Sequence, residues 1–318
     1  MKKRDYAFDN LKVFLIICVV FGHMLILIPE DTSVLGQIKG CIYYLIYSFH
    51  MPAFFFISGY FASFSVKKVL RLLGYYVLFS SIYYLFETRI LDNPMKFQLH
   101  TPYYVFWYLL TLAYYYCFFV LLKHIPVKMQ ASCLVGLIIL SLSIGYFDNI
   151  EYKYSLSRTF VFLPYFTMGV FIGCDKEGLF KQLRDIKPYV PMILLLAFAS
   201  TIICFFSDSF YSTMLWGVLP YSTGYGPDKR GIIMCIAFLW IVGLLGFFIN
   251  YVNCNLRYIT TIGRNTLSIY LLHGFIVNSI KECIEIHSIL LLFLISIGIV
   301  LLFGYQPQKA NVTNSSID

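Results

Sequence analysis

Three histidines interrupt stretches of the sequence that are otherwise almost purely apolar. His23 lies in CVVFGHMLILI, His50 in SFHMPAFFF and His273 in SIYLLHGF. Imidazole is the side chain best suited to exchange a proton near neutral pH, and burial disfavours its charged form, so a buried histidine can accept a proton. Each of them alone is also explained by packing. Three in a chain with only six histidines indicate a proton-transfer site.

A basic group follows the stretch around the second histidine and suggests a second kind of chemistry. It consists of Lys67, Lys68 and Arg71. Such side chains bind phosphate groups. The group can instead be an ordinary topology signal, so both interpretations stay open. Lys12, in the first apolar stretch, can extend to the membrane surface beside Asp9.

The composition of the chain predicts a membrane protein. Of its 318 residues, 59% are hydrophobic and only 13% are charged. Basic cytoplasmic loops account for the net charge of +8, so no nucleic-acid partner is expected. Nine cysteines are scattered singly through the apolar stretches, which predicts small packing residues, with neither disulfides nor a metal site.

The apolar windows predict an all-α, polytopic protein with about ten transmembrane helices. The expected spans are 10–28, 41–62, 70–86, 104–122, 132–147, 159–174, 189–206, 231–249, 265–280 and 288–304. Lys and Arg concentrate in the loops on the same side as the N-terminus, which predicts that both termini are cytoplasmic. The chain thus divides into a transmembrane domain, 1–305, and a short polar cytoplasmic tail, 306–318.

The alternating directions of these spans place the three histidines at similar depth. With a rise of about 1.5 Å per residue, His23 falls roughly two thirds of the way outward, His50 slightly outside the middle and His273 near the middle. Ionisable residues at such depth are functional candidates. No acidic residue falls clearly at the level of His23, so a carboxylate-supported triad is not predicted.

The second span and the longest outer loop carry further signals. Pro52 can break the helix near its centre, and the pair Ser58-Gly59 allows another helix to approach closely. The outer loop, 207–230, contains three aromatic candidates for substrate binding: Trp216, Tyr221 and Tyr225. Aromatic faces suit the C–H surfaces of sugars. Aromatic residues are also common anchors at membrane interfaces, so both interpretations stay open.

Four motifs follow one another in order along the chain: RDYAFDNLKVFLIICVVFGH, FHMPAFFFISGYF, FWYLLTL and GRNTLSIYLLH. Together they resemble the acyltransferase-3 family of integral-membrane acyltransferases, from Arg4 to about Leu302. SRTFVFLPYFTMGVFIG further resembles its fucose O-acetylase-like branch. The resemblance implies ten core helices and transfer of acetyl from cytoplasmic acetyl-CoA to a hydroxyl. The expected acceptor is a sugar in a surface polysaccharide, or its lipid-linked precursor, at the bacterial cell (plasma) membrane.

The resemblance also implies roles for individual residues. The family's proposed base, a histidine in the first helix, corresponds to His23, and the basic residue eleven positions earlier, often Arg, corresponds to Lys12. The family's Arg-x-x-Arg appears here as Lys68-Val-Leu-Arg71, so one guanidinium fork is lost at each substituted position. We expect the basic residues to hold the phosphates of acetyl-CoA while the thioester extends towards His23: Lys12, Lys67, Lys68 and Arg71.

Acetyl transfer to an alcohol requires a base for the hydroxyl proton and donors for the oxyanion of the tetrahedral intermediate. A neutral His23 fits the first requirement. His50 and His273 can orient it, bind the acceptor or donate to the oxyanion, and the residue types do not distinguish these roles. Ser58 is an alternative as a transient acetyl carrier, although a helix contact is the favoured interpretation. This chemistry needs no metal.

Two other classes of protein share some of these features. A transporter or flippase of a glycan or small molecule would also have about ten spans and buried histidines. The transporter interpretation does not explain why Lys12 and His23 occur together with His-Met-Pro at 50–52 and with Ser58-Gly59. A glycan polymerase would need large basic outer loops, whereas the loop at 207–230 is modest. A homo-oligomer is compatible with the sequence.

Overall fold

The computed structural model describes residues 6–29, 33–207 and 209–304, and this part of the chain is helical and contains no strand. Its α-helices are α1 Ala7–Met24, α2 Val34–Tyr60, α3 Val66–Arg89, α4 Trp107–Leu122, α5 Val127–Ser143, α6 Leu156–Cys174, α7 Lys176–Asp185, α8 Val190–Phe205, α9 Pro227–Tyr251, α10 Arg257–Arg264, α11 Thr266–Cys283 and α12 Ile289–Gly304. The predicted all-α class is confirmed. Arg4 and the predicted tail lie outside the described residues.

Among the described residues, seven helical segments are long and apolar enough to cross a bilayer: Ala7–Leu27, Val34–Tyr60, Val66–Arg89, Val127–Tyr146, Lys153–Cys174, Lys187–Phe205 and Pro227–Tyr251. Helices α4 and α12 are apolar but shorter. Each of the ten predicted spans coincides with a helix, and α7 and α10 are short additions. The chain is therefore a polytopic helical membrane protein by length and composition. The count of ten spans and the side of the termini stay predictions.

The helices divide into a buried centre and an outer layer. In the segments that contain α1 and α6, 67% of the apolar window is buried, compared with 11% in the segment that contains α5. A helix that is hydrophobic all round but mostly unburied is suited to face lipid. The central helices α1, α2, α6 and α9 are therefore the ones that can position a site.

Helices α2 and α6 approach each other most closely where both carry glycine. A methyl group at Gly59 would overlap the carbonyl oxygen of Phe166, and one at Gly169 would overlap the carbonyl oxygen of Phe56. The close approach predicted at Ser58-Gly59 is confirmed. The hydroxyl of Ser58 is 2.9 Å from the hydroxyl of Tyr108 on α4, so a third helix joins this contact.

Pro52 does not break α2, which continues as one helix from Val34 to Tyr60. Proline removes only the donor that would reach the carbonyl four residues earlier, here that of Ser48. The remaining helical bonds on either side keep the chain helical. The possibility that Pro52 interrupts this span is therefore not realised.

All nine cysteines are unpaired thiols. Cys18 and Cys204 are buried, whereas Cys117, Cys235 and Cys283 are among those on the surface. The interpretation of the cysteines as small packing residues thus describes the buried members and does not extend to the exposed ones.

Candidate active site

Helix α1 runs between the two ends of the bundle, and one of its faces carries both Lys12 and His23. Lys12 and His23 are eleven residues apart, which is about three helical turns, so they point the same way about 16 Å apart along the axis. Ile16 and Val19 lie between them on that face. Lys12 is partly buried, and its amino group forms an ion pair of 2.8 Å with Asp9. We call the two ends of the bundle the Lys12 end and the His23 end.

A large open cavity occupies the Lys12 end. Its volume is about 1090 Å³, and we call it the basal cavity. Three cationic side chains line it, Lys12 from α1 and Lys176 and Arg184 from α7, together with three carboxylates, those of Asp9, Asp175 and Glu177. The amino group of Lys176 lies 5.1 Å from the ring centre of Tyr60, which forms part of the wall. The cavity is large enough for a sizeable ligand, and its cations can contact anionic groups of that ligand.

A second, narrower cavity of about 250 Å³ lies between α1, α2, α4 and α11, and we call it the inner channel. Lys12, Ile16 and Val19 form its α1 wall, so it follows the same helix face that leads to His23. Tyr270 of α11 also lines it. Lys12 lines both cavities, so the two adjoin at its side chain.

His23 and His273 form a pair beyond this channel. Their ring centroids are 5.3 Å apart. Nδ1 of His273 lies 2.8 Å from the carbonyl oxygen of Tyr270 and 3.2 Å from that of Ile269, so we assign the proton to Nδ1 and leave Nε2 as an acceptor. That Nε2 and the Nδ1 of His23 are both buried and have no hydrogen-bond partner among the described residues.

His50 lies near this pair and is separated from His23 by one aromatic ring. The ring of Tyr47 lies 4.7 Å from His50 and 6.4 Å from His23, so it separates them. Nδ1 of His50 is 2.8 Å from the carbonyl oxygen of Ile46. The structure therefore brings His23 and His273 together and connects His50 to them through an aromatic ring.

Tyr104 covers the other side of His23. Its ring centroid is 4.9 Å from that of His23, and its backbone has φ +41°, a left-handed conformation that a bulky residue rarely adopts. Tyr83 is stacked on Tyr104, with centroids 6.3 Å apart and planes 10° apart. The sequence did not single out these tyrosines, because aromatic residues are abundant throughout the chain.

A buried carboxylate lies behind these rings. Glu87, only 5% exposed, accepts hydrogen bonds from Asn278 at 2.6 Å and from Asn93 at 3.1 Å. Asn278 also donates to the hydroxyl of Tyr83, at 2.6 Å. Glu87 falls one residue beyond the span expected at 70–86, so the sequence placed it in a loop. It is separated from His23 by Tyr83 and Tyr104, so it forms no triad with that histidine.

Trp216 and Arg158 join the site from the His23 end. The indole N–H of Trp216 donates to the hydroxyl of Tyr43 at 3.0 Å, and Tyr43 is stacked on Tyr47 with centroids 4.0 Å apart. The Nε of Arg158 donates to the carbonyl oxygen of Trp216 at 3.2 Å. Of the three predicted loop aromatics, Trp216 is thus the one connected to the histidines. Arg158 was counted from sequence only as a loop charge.

Tyr221 and Tyr225 instead belong to a packed cluster around Arg230. The hydroxyl of Tyr221 donates to the carbonyl oxygen of Leu142 at 2.5 Å. The hydroxyl of Tyr225 donates to the carbonyl oxygen of Leu219 at 2.8 Å and accepts from Arg230. Burial raises the pKa of Tyr221 to about 12, so its hydroxyl stays a donor at neutral pH. Both hydroxyls are engaged by the protein itself.

The predicted basic group after α2 lies at the surface near the inner channel. Lys67, Lys68 and Arg71 are exposed, and none of them lines the basal cavity or the inner channel. The amino group of Lys68 lies 5.9 Å from the ring centre of Tyr116, which does line the channel. Besides Lys12, the cations of the basal cavity lie on α7. The hydropathy pattern did not predict this helix.

The fold and the site together define a polytopic membrane protein in which His23, paired with His273, lies on the α1 face that also lines the inner channel. A family model described as an acyltransferase domain, that of the acyltransferase-3 family, matches residues 5–305. The chain belongs to this family and is a membrane acyltransferase. Comparison with curated proteins found no match, and comparison with solved structures found none.

Proposed function

We propose that this protein is a membrane-bound O-acetyltransferase of the fucose O-acetylase-like branch. It moves acetyl from cytoplasmic acetyl-CoA to a hydroxyl of a sugar in a bacterial cell-surface polysaccharide or its lipid-linked precursor. One observation carries the proposal. Lys12 lines both the basal cavity and the inner channel, and the α1 face that forms the channel wall continues to His23.

The Lys12 end is the proposed site for the nucleotide part of acetyl-CoA. Lys12, Lys176 and Arg184 face one cavity, and phosphates are bound by such cations through charge-assisted hydrogen bonds. Lys67, Lys68 and Arg71 add positive charge near the channel and attract the cofactor to this end. The narrower, mostly apolar inner channel suits the extended thiol arm of the cofactor, which places the thioester near His23.

The proposed chemistry starts from the tautomer of the histidine pair. Nδ1 of His23 and Nε2 of His273 form no hydrogen bond in this structure, in which the two rings are 5.3 Å apart. A closer approach of the rings lets Nε2 of His273 accept a hydrogen bond from Nδ1–H of His23, which leaves the lone pair on Nε2 of His23 free to act as a base. His273 is then a positioning residue, comparable in role to the orienting third group of other catalytic constellations.

The transfer step then balances without any further reactant. Nε2 of His23 takes the proton of the acceptor hydroxyl while the hydroxyl oxygen bonds to the thioester carbon. The tetrahedral intermediate collapses, the carbon–sulfur bond breaks, and the thiolate of CoA takes the proton from His23. The hydroxyls of Tyr47 and Tyr104, whose rings lie 6.4 Å and 4.9 Å from that of His23, are candidates to donate to the oxyanion.

Acetyl-CoA turnover in membranes that carry the protein tests this proposal, together with analysis of O-acetyl groups on the glycan. We expect His23→Ala to lower the rate at least about tenfold, which corresponds to about 1.4 kcal/mol of transition-state stabilisation. His124→Ala is the matched control, because His124 is exposed in a loop outside the site. Near-normal turnover in a well-expressed His23→Ala protein would contradict the role of His23 as base. A transporter would move a glycan without consuming acetyl-CoA.

A further inference from the structure

Two arginines, Arg158 and Arg230, place their guanidinium groups within the protein at its His23 end. They differ in the hydrogen bonds that these groups form. Arg230 donates through Nη1 to the carbonyl oxygen of Ser141 and through Nη2 to that of Leu219 and to Tyr225. Its face is covered by the ring of Tyr221 at 4.7 Å. Both terminal nitrogens of Arg230 are therefore engaged, as expected for a structural residue.

Arg158 is held through fewer contacts, and no group of the described residues bonds to its two terminal nitrogens. Its Nε donates to the carbonyl oxygen of Trp216, and its guanidinium lies 4.6 Å from the ring centre of Trp107 and 5.6 Å from that of Tyr152. Within the described ranges, neither terminal nitrogen has a hydrogen-bond partner and no carboxylate forms an ion pair with Arg158. A partly buried charge without a counter-charge is costly.

The backbone before Arg158 is also held in a costly conformation. Tyr154 and Ser155 both have left-handed φ angles, +51° and +57°, directly before α6. Such a backbone conformation is unfavourable for a residue other than glycine and persists only where its surroundings impose it. Ser155 contacts Thr111 at 3.1 Å, and Ser157 donates to the carbonyl oxygen of Gly217 at 3.0 Å. These contacts hold the segment that presents Arg158.

The free edge of Arg158 lies on the same side as the reacting histidine. Arg158 bonds to Trp216, whose indole donates to Tyr43, and the ring of Tyr43 is stacked on Tyr47 beside His23. The basal cavity lies at the opposite end of α1, about 16 Å from His23 along the helix. An anion bound by Arg158 therefore belongs to a molecule other than the nucleotide part of the cofactor, and in an acyl-transfer site that molecule is the acceptor.

We propose that Arg158 forms an anion-binding subsite for the acceptor, in which its two terminal nitrogens bind a carboxylate or phosphate carried by the glycan and so hold a hydroxyl towards His23. This inference rests on the proposed acetyltransferase function. A guanidinium fixed through Nε and one face presents a fork that matches two oxygens of such a group. The acceptor class is thus an acidic glycan or a phosphate-linked sugar.

Purified protein in lipid nanodiscs, supplied with acetyl-CoA, tests the proposal with three forms of one glycan. The glycan comes from the envelope of the source cells, is freed of O-acetyl groups, and is used untreated, with its carboxylates reduced to alcohols, or with its phosphates removed. The variants are Arg158→Gln and Arg158→Lys. Lys153→Gln is the matched control, because it removes one exposed positive charge at the same end of the molecule.

For the wild-type protein and for Lys153→Gln, we expect one of the two treatments to lower the rate of acetyl transfer at least about tenfold. That treatment identifies the anion as carboxylate or phosphate. In Arg158→Gln the untreated and treated glycans should be acetylated at the same low rate, and Arg158→Lys should keep part of the difference.

Three results would overturn the subsite. The wild-type rate could be insensitive to both treatments, or Arg158→Gln could remain as sensitive as the wild type. Arg158→Gln could also lower the rates on all three forms by one common factor while the difference persists, which would assign Arg158 to the oxyanion instead. Absence of any acetyl transfer by the wild-type protein would be a different failure, because it removes the proposed function on which the subsite rests.

Discussion

The two ends of the bundle are built in opposite ways. The Lys12 end has an open cavity of about 1090 Å³, and its cations come from α1 and from the short helix α7. At the His23 end, by contrast, aromatic rings pack around the histidines, and one cavity there, between Tyr47 and Arg230, has a volume of about 20 Å³. One end is thus suited to admit a large charged molecule, and the other to hold a small number of groups in a fixed arrangement.

This difference suggests that each end carries out a different part of the reaction. Phosphates need cations and can stay largely hydrated, so an open cavity is adequate for them. Proton transfer needs a fixed tautomer and a site from which water is excluded, which packing supplies. Variants at the His23 end should therefore change mainly kcat, and variants at the Lys12 end should change mainly KM for acetyl-CoA.

After the loss of His23 itself, the largest effect is expected at His273, whose proposed task is to orient His23. We expect His273→Ala to lower kcat about a hundredfold, within the range of acid–base contributions, with little change in KM for acetyl-CoA. His273→Gln should recover part of the loss, because its amide oxygen can accept a hydrogen bond from His23. The measurement is steady-state acetyl-CoA turnover.

If His273 acted only through packing, His273→Gln and His273→Ala would lose the same activity in proportion to their loss of thermal stability. A large rise in KM in place of a fall in kcat would also contradict the division, because it would give the His23 end a role in binding the cofactor.

The second prediction concerns the Lys12 end. Lys12→Ala should raise KM for acetyl-CoA about tenfold and leave kcat nearly unchanged, because one charge-assisted contact to a phosphate contributes about 1.5–3 kcal/mol. The combined change of Lys68→Ala and Arg71→Ala should raise KM less, because these residues are exposed outside both cavities. Initial rates over a range of acetyl-CoA concentrations measure both parameters.

Lys181→Ala is the control for this comparison, because Lys181 lies on α7 and does not line the basal cavity. If Lys12→Ala changed kcat and left KM unaltered, the basal cavity would lose its assignment to the cofactor. Equal changes in all the variants would indicate a general effect of surface charge.

The smallest effects compare two aromatic residues at the His23 end. Trp216→Phe removes the indole donor to Tyr43, so we expect the transfer rate to fall about fivefold, the equivalent of one hydrogen bond of about 1 kcal/mol. Tyr221→Phe removes the bond to Leu142 and should lower the free energy of unfolding by a similar amount, about 1 kcal/mol, with little change in rate. Transfer rates and thermal unfolding in detergent separate the two.

A fall in rate for Tyr221→Phe as large as that for Trp216→Phe, without loss of stability, would instead return Tyr221 to the acceptor-binding surface that the sequence suggested. The same test applies to Tyr225→Phe, which additionally removes an acceptor for Arg230.

The helical class, and the presence of a helix at each expected span, followed from the sequence, because hydropathy is a property of composition that tertiary contacts do not alter. The pairing of Lys12 with His23 on one face of α1 is similarly local, since it depends only on helical periodicity. The close approach at Ser58-Gly59 was also predictable, because small residues leave room that another backbone can fill.

The partners of these residues depended on the tertiary structure. Whether His273 or His50 faces His23 depends on how the helices rotate against each other, and periodicity within one helix carries no information on that rotation. Glu87 lay one residue beyond its expected span, and α7 is too polar to register in a hydropathy window. Arg158 looked like a loop charge in the sequence. Only the packing of Trp107, Tyr152 and Trp216 around it left its terminal nitrogens free beside the histidines.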